Sequence, residues 1–355
     1  MSVEGLNVLV TGGTGSLGRA LVRRLLSGVD GTPASITVLS RDEAKQHAMR
    51  LALSGRGPGT DDVAYGQAGQ RVRFRVGSVA DRDAVVRALQ GIDVVVHAAA
   101  LKQVPTCEYF PSEAVRTNVD GAATLVRAIA ELDLPVRTVV GVSTDKACKP
   151  VNVMGMTKAL QERVLVEGNL AAPQTRFVVA RYGNVMGSRG SVLPLFHDQI
   201  RRGGPVTLTT EAMTRFCMSL DQAVDTVLAA AVHALAGETF VPRIPAARMV
   251  DLVAALIGDR DVPVVATGVR PGEKTHEVLI SEEESARTVR AGDHWAIGPL
   301  LPELRTDREG EPFGAGEYSS ADDLLDLDGV RDLLATHRMR LSDEPFDPRA
   351  SVDVG

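Results

Sequence analysis

Four glycines between a short apolar segment and a helical pattern constrain the fold of this chain more than any other feature. Residues 7–10 predict a buried strand, and residues 19–27 carry leucine and valine at helical spacing. The glycines between them allow a tight turn, a close backbone approach to a pyrophosphate and close packing of the helix on the sheet. Free N–H groups at the helix N-terminus favour an anion there. The pattern predicts a dinucleotide site, rather than a purely structural turn, formed by Gly12, Thr14, Gly15, Ser16, Leu17 and Gly18.

Apolar strand patterns and helical patterns alternate along the first half of the chain. Further strands are predicted at 35–39, 71–76, 93–97, 138–142 and 176–180, and further helices at 84–89, about 111–132 and about 152–167. This alternation predicts an α/β fold with a Rossmann-type doubly wound parallel sheet and a small C-terminal substrate-binding lobe. We expect the following division: a dinucleotide-binding domain at 1–185, a substrate lobe mainly at 186–300 with segments returning to the first domain, and a tail at 301–355. Residues 54–70 are rich in Gly, Pro, Asp and Gln and predict a loop without a function.

Charge and cysteine content limit the classes of partner. The formal net charge of −6 argues against a nucleic-acid or anionic-membrane binder, which usually carries a basic excess. Three widely spaced cysteines fit neither a metal-ligand pattern nor a disulfide framework, and predict reduced thiols. The first residues lack the basic region of a signal peptide, and no stretch approaches 18 consecutive apolar residues. We therefore expect a soluble cytoplasmic protein without a membrane span.

The end of the second strand bears on the choice between NAD and NADP. An acidic residue at this position holds the ribose 2′-hydroxyl of NAD, whereas a basic residue suits the 2′-phosphate of NADP. Ser40 and Arg41 stand here, followed by Asp42. Ser40 and Arg41 favour NADP as the cofactor. The alternative is a solvated surface arginine, with Asp42 as the ribose ligand.

A polar segment follows the strand at 138–142, where open α/β sheets place their ligands. Thr144, Asp145 and Lys146 supply a hydroxyl, a carboxylate and an amine, and Lys158 follows on the next helix. Alone, the segment is more typical of an ordinary strand-to-helix turn with polar caps than of a catalytic site.

The segment is not isolated, because motifs along about 310 residues resemble one family. The chain resembles the UDP-N-acetylglucosamine 4,6-dehydratases, the polysaccharide-biosynthesis branch of the extended short-chain dehydrogenases/reductases. The matching segments are TGGTGSLG (11–18), LSRDE (39–43), HAAALKQVP (97–105), TNVDGA (117–122), VSTDKACKPVNVMGMTK (142–158), RYGNVMGSRGSV (181–192), MTRF (213–216), RPGEKTHE (270–277) and EYSSAD (317–322). The combination of STDK, RYGNV and RPGEK is specific to this branch.

The resemblance implies an internal redox cycle catalysed by a hydro-lyase. Hydride passes from C4 of the sugar to NADP, a base removes the C5 proton, the 6-hydroxyl leaves as water, and hydride returns to C6. By the same resemblance, Lys146 is the base at C5, Asp145 the acid for the departing hydroxyl, and Thr144 a hydrogen-bond partner of the C4 oxygen. Lys158 would hold the nicotinamide ribose. A base near neutrality needs a lowered pKa, which we expect for Lys146 beside a nicotinamide cation and a second lysine.

Two positions depart from the pattern of the superfamily. Met154 stands four residues before Lys158, where a tyrosine usually removes the C4 hydroxyl proton, and a thioether can neither accept nor donate it. Some branches of these dehydratases carry methionine here, so that Asp145 first, or else Thr144 or a water, would serve the C4 hydroxyl. Ser78 replaces an aspartate that contacts adenine in the family, which predicts either a weaker contact or a substitution by Asp81.

The resemblance also assigns residues to the two ligands. Further cofactor contacts are expected from Ser78, Val79, Ala98, Ala99 and Tyr182. The UDP-sugar contacts are expected from Lys102, Asn184, Arg189, Val192, Arg215, Arg270 and Glu273. Guanidinium groups suit a two-oxygen grip on phosphate. The histidines show no metal-ligand pairing, and no metal is expected.

Several alternatives stay open at this stage. A UDP-sugar C4 epimerase or a 5,6-dehydratase would use the same site, because the outcome depends on the placement of the sugar. A non-catalytic NADP-binding regulator would fit Met154, although it has no use for an acid and a base beside the cofactor. The C5 configuration of the product is open. A homo-oligomer is expected from the family, with the helices at about 111–132 and 152–167 as the contact.

Overall fold

A nine-stranded sheet forms the centre of the computed structural model, which describes residues 3–53, 71–188, 190–305 and 308–343. The predicted loop at 54–70 lies outside these residues. In chain order the strands are β1 Asn7–Thr11, β2 Ser35–Ser40, β3 Val72–Val76, β4 Val94–His97, β5 Thr138–Thr144, β6 Arg176–Tyr182, β7 Val206–Leu208, β8 Thr214–Phe216, β9 Thr239–Pro242, β10 Ala246–Arg248, β11 Val264–Ala266, β12 Val278–Ile280, β13 Thr288–Ala291, β14 His294–Ile297 and β15 Tyr318–Ser319.

Helices flank the sheet and form much of the smaller lobe. They are α1 Ser16–Ser27, α2 Glu43–Leu53, α3 Arg82–Leu89, α4 Val104–Tyr109, α5 Pro111–Ala114, α6 Gly121–Glu131, α7 Val153–Ala171, α8 Val192–Arg201, α9 Leu220–His233, α10 Met249–Ile257, α11 Glu282–Ser285 and α12 Leu327–Thr336. A π-helix, Val115–Asp120, joins α5 to α6. Two 3₁₀ turns lie at Asp145–Ala147 and Pro302–Leu304.

The strand order β13-β14-β9-β6-β5-β4-β1-β2-β3 confirms the predicted doubly wound sheet. Seven strands from β3 to β9 run parallel, and β14 and β13 add an antiparallel edge. The chain winds from β1 through β2 to β3 and then returns to place β4 on the other side of β1. This reversal opens a crevice at the carboxyl ends of β1 and β4, where such sheets bind ligands.

The strands are apolar because helices cover both faces of the sheet. All four residues of β4 are buried, as are all six of β2, which is typical of parallel strands packed on both sides. One core lies between the sheet and the helices α1 and α9, and a second lies between the sheet and α3, α6 and α7.

The C-terminal part of the chain contributes to both the sheet and a smaller lobe. The strands β9, β13 and β14 belong to the large sheet, whereas β15 pairs with β12. A third apolar core lies between α8, α10 and α12. Some segments beyond residue 186 therefore extend the sheet, and others cover the carboxyl ends of its strands.

The structure differs from the predicted elements in two places that concern the site. The strand β5 continues to Thr144, two residues beyond the predicted end, so that Thr144 leaves the sheet in extended conformation. The predicted helix at about 111–132 contains the π-helix, in which Asn118 is fully buried. Its side-chain amide donates to Leu101 O (3.0 Å) and Thr157 Oγ1 (3.0 Å), and its carbonyl oxygen accepts from Leu101 N (2.8 Å). These bonds fix the loop after β4 against α7.

Candidate active site

A cleft of about 1390 Å³ opens at the carboxyl ends of β1, β4, β5 and β6. Its volume exceeds that of a typical single-ligand pocket, which rarely passes about 1,000 Å³, and so leaves room for two ligands side by side. One end is lined by the glycine turn before α1, and the other by the smaller lobe. Lys146 and Lys158 lie between these two ends.

The glycine turn lies so close to the neighbouring backbone that side chains are excluded. Gly12 has φ +67°, and a Cβ there would lie 2.8 Å from the backbone of Ala99. A Cβ on Gly18 would lie 2.4 Å from the Cα of Gly13, which is why α1 can start directly behind the turn. The turn and the N-terminus of α1 together form a backbone cradle that fits a pyrophosphate.

The end of β2 carries the expected pair of Ser40 and Arg41. Ser40 is buried, and Gln46 Nε2 donates to both its carbonyl oxygen and its hydroxyl at 3.0 Å. Asp42 precedes α2. Its carboxylate accepts from Lys45 N at 2.9 Å and pairs with the Lys45 ammonium, so it is bound to the first turn of α2. Arg41 is exposed and lines the cleft. Arg41 thus contributes an exposed guanidinium to the wall of the cleft.

The polar segment after β5 forms a compact hydrogen-bonded unit. The Thr144 hydroxyl donates to Asp145 Oδ1 at 2.8 Å and accepts from Lys146 N at 3.4 Å. The Lys146 ammonium donates to the same carboxylate oxygen at 3.1 Å. Because a 3₁₀ turn begins directly after the strand, three consecutive side chains converge on one point instead of alternating across the sheet.

Asp145 lies behind the other two residues. It is fully buried and is not among the residues that line the cleft, whereas Thr144 and Lys146 line it. Its Oδ2 has no hydrogen-bond partner among the described residues and lies 3.5 Å from the position that a Cβ on Gly183 would take. The carboxylate therefore reaches the cleft through Thr144 and Lys146.

Two carboxylates and one side-chain amide oxygen surround the Lys146 ammonium. Besides Asp145, its ammonium lies 3.2 Å from Glu277 Oε1 and 3.2 Å from Asn184 Oδ1. Burial lowers the pKa of Lys146, but the carboxylates of Asp145 and Glu277 outweigh it, and the pKa is raised above its usual value. The expectation of a lowered pKa does not hold for the protein by itself, because sequence spacing did not reveal the second carboxylate.

Lys158 has the lowered pKa that Lys146 lacks. Its ammonium donates to Val142 O and to Gln161 Oε1, both at 2.5 Å. Burial lowers its pKa to about 8, against a smaller opposing effect of Glu162. Met154, one turn earlier on α7, is buried and lines the cleft next to Lys158. No hydroxyl replaces the missing tyrosine at this position.

The two described arginines that are predicted to contact the substrate differ in their surroundings. Arg215 is buried, and its guanidinium donates to three backbone carbonyls, those of Thr214, Lys274 and Thr275. This arginine thus ties β8 to the loop after Arg270 while it lines the cleft. Arg270 is 62% exposed and lies 3.9 Å from Glu273, so it is the more adaptable of the two groups towards a phosphate.

Most of the residues that the sequence predicts for the site come together in one cleft. The cleft is lined by Gly12, Thr14, Gly15, Ser16, Leu17, Gly18, Ser40, Arg41, Val79, Ala98, Ala99, Lys102, Thr144, Lys146, Met154, Lys158, Tyr182, Asn184, Val192, Arg215, Arg270 and Glu273. Asp145 lies behind the cleft, and Ser78 is not among the residues that line it. The Ser78 hydroxyl accepts from Ala80 N at 3.2 Å. Arg189 lies outside the described residues. The individual roles remain predictions.

Glu277 is a further residue of the cleft that the sequence did not predict. It ends the RPGEKTHE motif, in which Arg270 and Glu273 are the predicted ligands. Its carboxylate lines the cleft and is 2% exposed. The available signal was an acidic residue directly before β12 in a motif already assigned to the site. Among the described residues, no three His, Cys, Asp or Glu side chains group as a metal site.

Comparisons with known proteins identify the family of the chain. A protein family described as polysaccharide biosynthesis protein matches residues 8–298. A UDP-glucose 4-epimerase of Rickettsia conorii is 41% identical over 340 residues, which cover 93% of this chain and 95% of the relative. A protein of Methanocaldococcus jannaschii named as an uncharacterised membrane protein is 42% identical over 303 residues, 82% of this chain and 85% of that one. In the described part of this chain, no helix is long and apolar enough to cross a bilayer.

Solved structures show the same fold. Pen from Bacillus thuringiensis superposes with a TM-score of 0.85 and 32% identity, over 96% of this chain and 100% of that one. The dTDP-glucose 4,6-dehydratase DesIV of Streptomyces venezuelae, solved with NAD bound, gives a TM-score of 0.63 at 24% identity, over 76% of this chain and 87% of that one. The second likeness concerns the fold alone.

Proposed function

Because this chain belongs to the polysaccharide biosynthesis protein family of extended short-chain dehydrogenases/reductases, we propose that it is a UDP-N-acetylglucosamine 4,6-dehydratase. The broader class is that of enzymes that epimerise or dehydrate a nucleotide sugar with a nicotinamide dinucleotide. The product would be a UDP-2-acetamido-2,6-dideoxy-4-hexulose.

One observation carries the choice of dehydration. An amine and a carboxylate, Lys146 and Glu277, lie 3.2 Å apart in the cleft. Elimination of water across C5 and C6 needs a base at C5, whereas epimerisation at C4 needs no group at C5. A base placed to act at C5 therefore favours dehydration over C4 epimerisation.

The cradle fits a nicotinamide dinucleotide, which would accept hydride from C4 and return it to C6. Gly12 and Gly18 leave no space for a side chain where the pyrophosphate would approach the backbone. Arg41 is the exposed cation at the adenosine end, while the carboxylate of Asp42 is used by Lys45. This arrangement supports NADP over NAD.

The residues of the chain would then divide the proton transfers. Thr144 would hydrogen-bond the C4 oxygen, since its hydroxyl lines the cleft. Asp145 would receive the C4 hydroxyl proton through Thr144 and return it to the departing 6-hydroxyl, which leaves as water. Lys146, in its unprotonated form, would take the C5 proton and give one back to C5 after hydride has reached C6. The cycle is balanced, because the C4 hydroxyl proton leaves in the water molecule.

A C4 epimerase is the second candidate, because the Rickettsia conorii relative carries that name at 41% identity. Epimerisation requires the 4-ketone to turn over in the cleft so that hydride returns to the opposite face of C4. The C5 proton then stays on carbon throughout. The two reactions therefore differ in solvent exchange at C5.

The test is an NMR time course of the purified protein with UDP-N-acetylglucosamine and NADP in deuterated water. A dehydratase gives a C6 methyl signal, a 4-keto or hydrated 4-keto sugar, and deuterium at C5. Ring couplings at C5 then give the configuration. A galacto-configured product that keeps its C5 proton would establish the epimerase instead, and an exocyclic vinyl signal a 5,6-dehydratase.

A further inference from the structure

Three oxygen atoms surround the ammonium of Lys146, which donates hydrogen bonds to two of them and forms an ion pair with the third. Asp145 Oδ1 lies at 3.1 Å, Glu277 Oε1 at 3.2 Å and Asn184 Oδ1 at 3.2 Å. Two of these acceptors are carboxylates, and both are almost completely buried. Such an environment holds a lysine in one position and favours its charged form.

Two hydrogen bonds between its backbone and Ser320 fix the position of Glu277. Its N–H donates to Ser320 Oγ at 2.9 Å, and its carbonyl oxygen accepts from Ser320 N at 2.8 Å. The Ser320 hydroxyl in turn lies 2.7 Å from Thr214 Oγ1 on β8. The carboxylate therefore has a defined place between β8 and β15, unlike a surface glutamate that happens to meet a lysine.

The charged groups around Glu277 belong to three elements. Lys146 and Asp145 come from the turn after β5, Arg215 from β8, and Lys274 from the loop before β12, with its ammonium 3.8 Å from Glu277 Oε2. Burial raises the pKa of the Glu277 carboxyl, as does Asp145, and the three cations oppose this. Among the described residues, Glu277 Oε2 has no hydrogen-bond partner. Lys146 is the cation closest to the carboxylate.

We infer that Glu277 is the counterion of Lys146, which holds the amine in place and sets the pH at which it can act as a base. Glu277 is thus a positioning residue that acts through Lys146. Its catalytic meaning rests on the proposed dehydratase function, whereas the pairing is a property of the chain itself. Asp145 bonds both Thr144 and Lys146. For Glu277, Lys146 is the closest charged partner.

The pairing is tested by titrating Lys146 in the protein without substrate. Lysine is labelled with ¹³C at Cε, and the Lys146 resonance is assigned by its loss in Lys146→Arg. In Glu277→Gln, loss of the negative charge should move the titration of Lys146 down by about one pH unit or more. Glu277→Asp keeps the charge and should stay closer to the wild type. Glu317→Gln is the matched control, because Glu317 pairs with Lys149 away from the cleft.

An unchanged Lys146 titration in folded Glu277→Gln would overturn the inference, and so would an equal shift in Glu317→Gln. The activity arm uses solvent exchange at C5. Since the base must be unprotonated, the acid limb of the exchange rate should move to lower pH in Glu277→Gln and return towards the wild type in Glu277→Asp. A wild-type protein that exchanges no deuterium at C5 would refute the proposed function, and the titration would then decide the pairing by itself.

Discussion

At the scale of single residues, Lys146 is the group on which the proposed dehydration depends. Replacement by alanine removes the amine at C5 but leaves Thr144 and Lys158 in place. We expect Lys146→Ala to form the 4-ketone and reduced cofactor while exchange of the C5 proton falls by about 10²-fold or more, as is typical for loss of a general base. Absorbance of the reduced nicotinamide and deuterium incorporation at C5 measure the two steps separately.

The matched control is Lys149→Ala, three residues further along the same turn. Lys149 pairs with Glu317 and does not line the cleft. Its removal should leave both steps near the wild-type rate. Normal C5 exchange in Lys146→Ala would remove Lys146 as the base.

Lys158 predicts a dependence of stability on pH. The unfolded chain keeps this proton up to the ordinary pKa of 10.5, whereas burial lets the folded protein release it at about 8. Between these values the unfolded state binds more protons, so the free energy of unfolding gains a contribution that rises with pH, by up to about 3 kcal/mol. Denaturant unfolding of wild type and Lys158→Met at several pH values measures it as the change in their difference. A difference that stays constant from pH 8 to pH 10.5 would contradict the shifted pKa.

The sequence predicts which residues gather at the site better than it predicts their contacts. Thr144, Lys146 and Lys158 line the cleft as expected, because strand ends and motif spacing are local features. The burial of Asp145 follows from a 3₁₀ turn, and the approach of Glu277 follows from packing between segments 131 residues apart in sequence. The first was missed because the apolar pattern does not mark a 3₁₀ turn, and the second because it is a long-range contact.

At the scale of elements, substitutions of two glycines should distinguish backbone strain from steric conflict. Gly12 and Gly5 have nearly the same positive φ, +67° and +69°, but only at Gly12 would a Cβ meet neighbouring atoms within 4 Å. We expect Gly5→Ala to lose only about 1–2 kcal/mol of stability through backbone strain and to bind NADP normally. Gly12→Ala should lose dinucleotide binding by at least about 10²-fold, because the turn and the loop at Ala99 must separate. Calorimetric titration with NADP measures the affinity of each variant. Equal affinities would contradict the close approach of the turn to the loop at Ala99.

Element types are predictable from the sequence where a single period dominates. The buried strands and α1 match their predictions within a few residues. The π-helix does not, since the apolar spacing at about 111–132 is that of one continuous helix. Its cause is tertiary: buried Asn118 must satisfy both the loop at Leu101 and Thr157 on α7. A buried amide with three partners can shift the local winding, and such bulges are frequent near functional sites.

At the scale of the whole molecule, one buried ion network joins the two parts of the chain. Arg181 on β6 pairs with Glu162 on α7 at 2.6 Å and with Glu284 on α11 at 2.7 Å. Removing one member of a buried pair typically costs about 3–5 kcal/mol, because a charge is left without its partner. The network fixes the segment that carries Glu277 against β5 and β6. Because these partners are far apart in sequence, periodicity could predict the sheet but not the way in which the C-terminal segments close over it.

The remaining whole-molecule prediction concerns self-association. Large apolar side chains are exposed at the end of α4 and along α7: Tyr109, Phe110, Met156 and Leu160 are 50–82% exposed. An apolar surface on two adjoining helices is typical of a contact between copies. We expect Leu160→Glu to shift the protein towards the monomer in light scattering coupled to size exclusion. Leu300→Glu is the matched control, because Leu300 is similarly exposed at 47% but lies in a loop outside these helices. A mass that is the same for wild type and both variants would refute this surface as the contact.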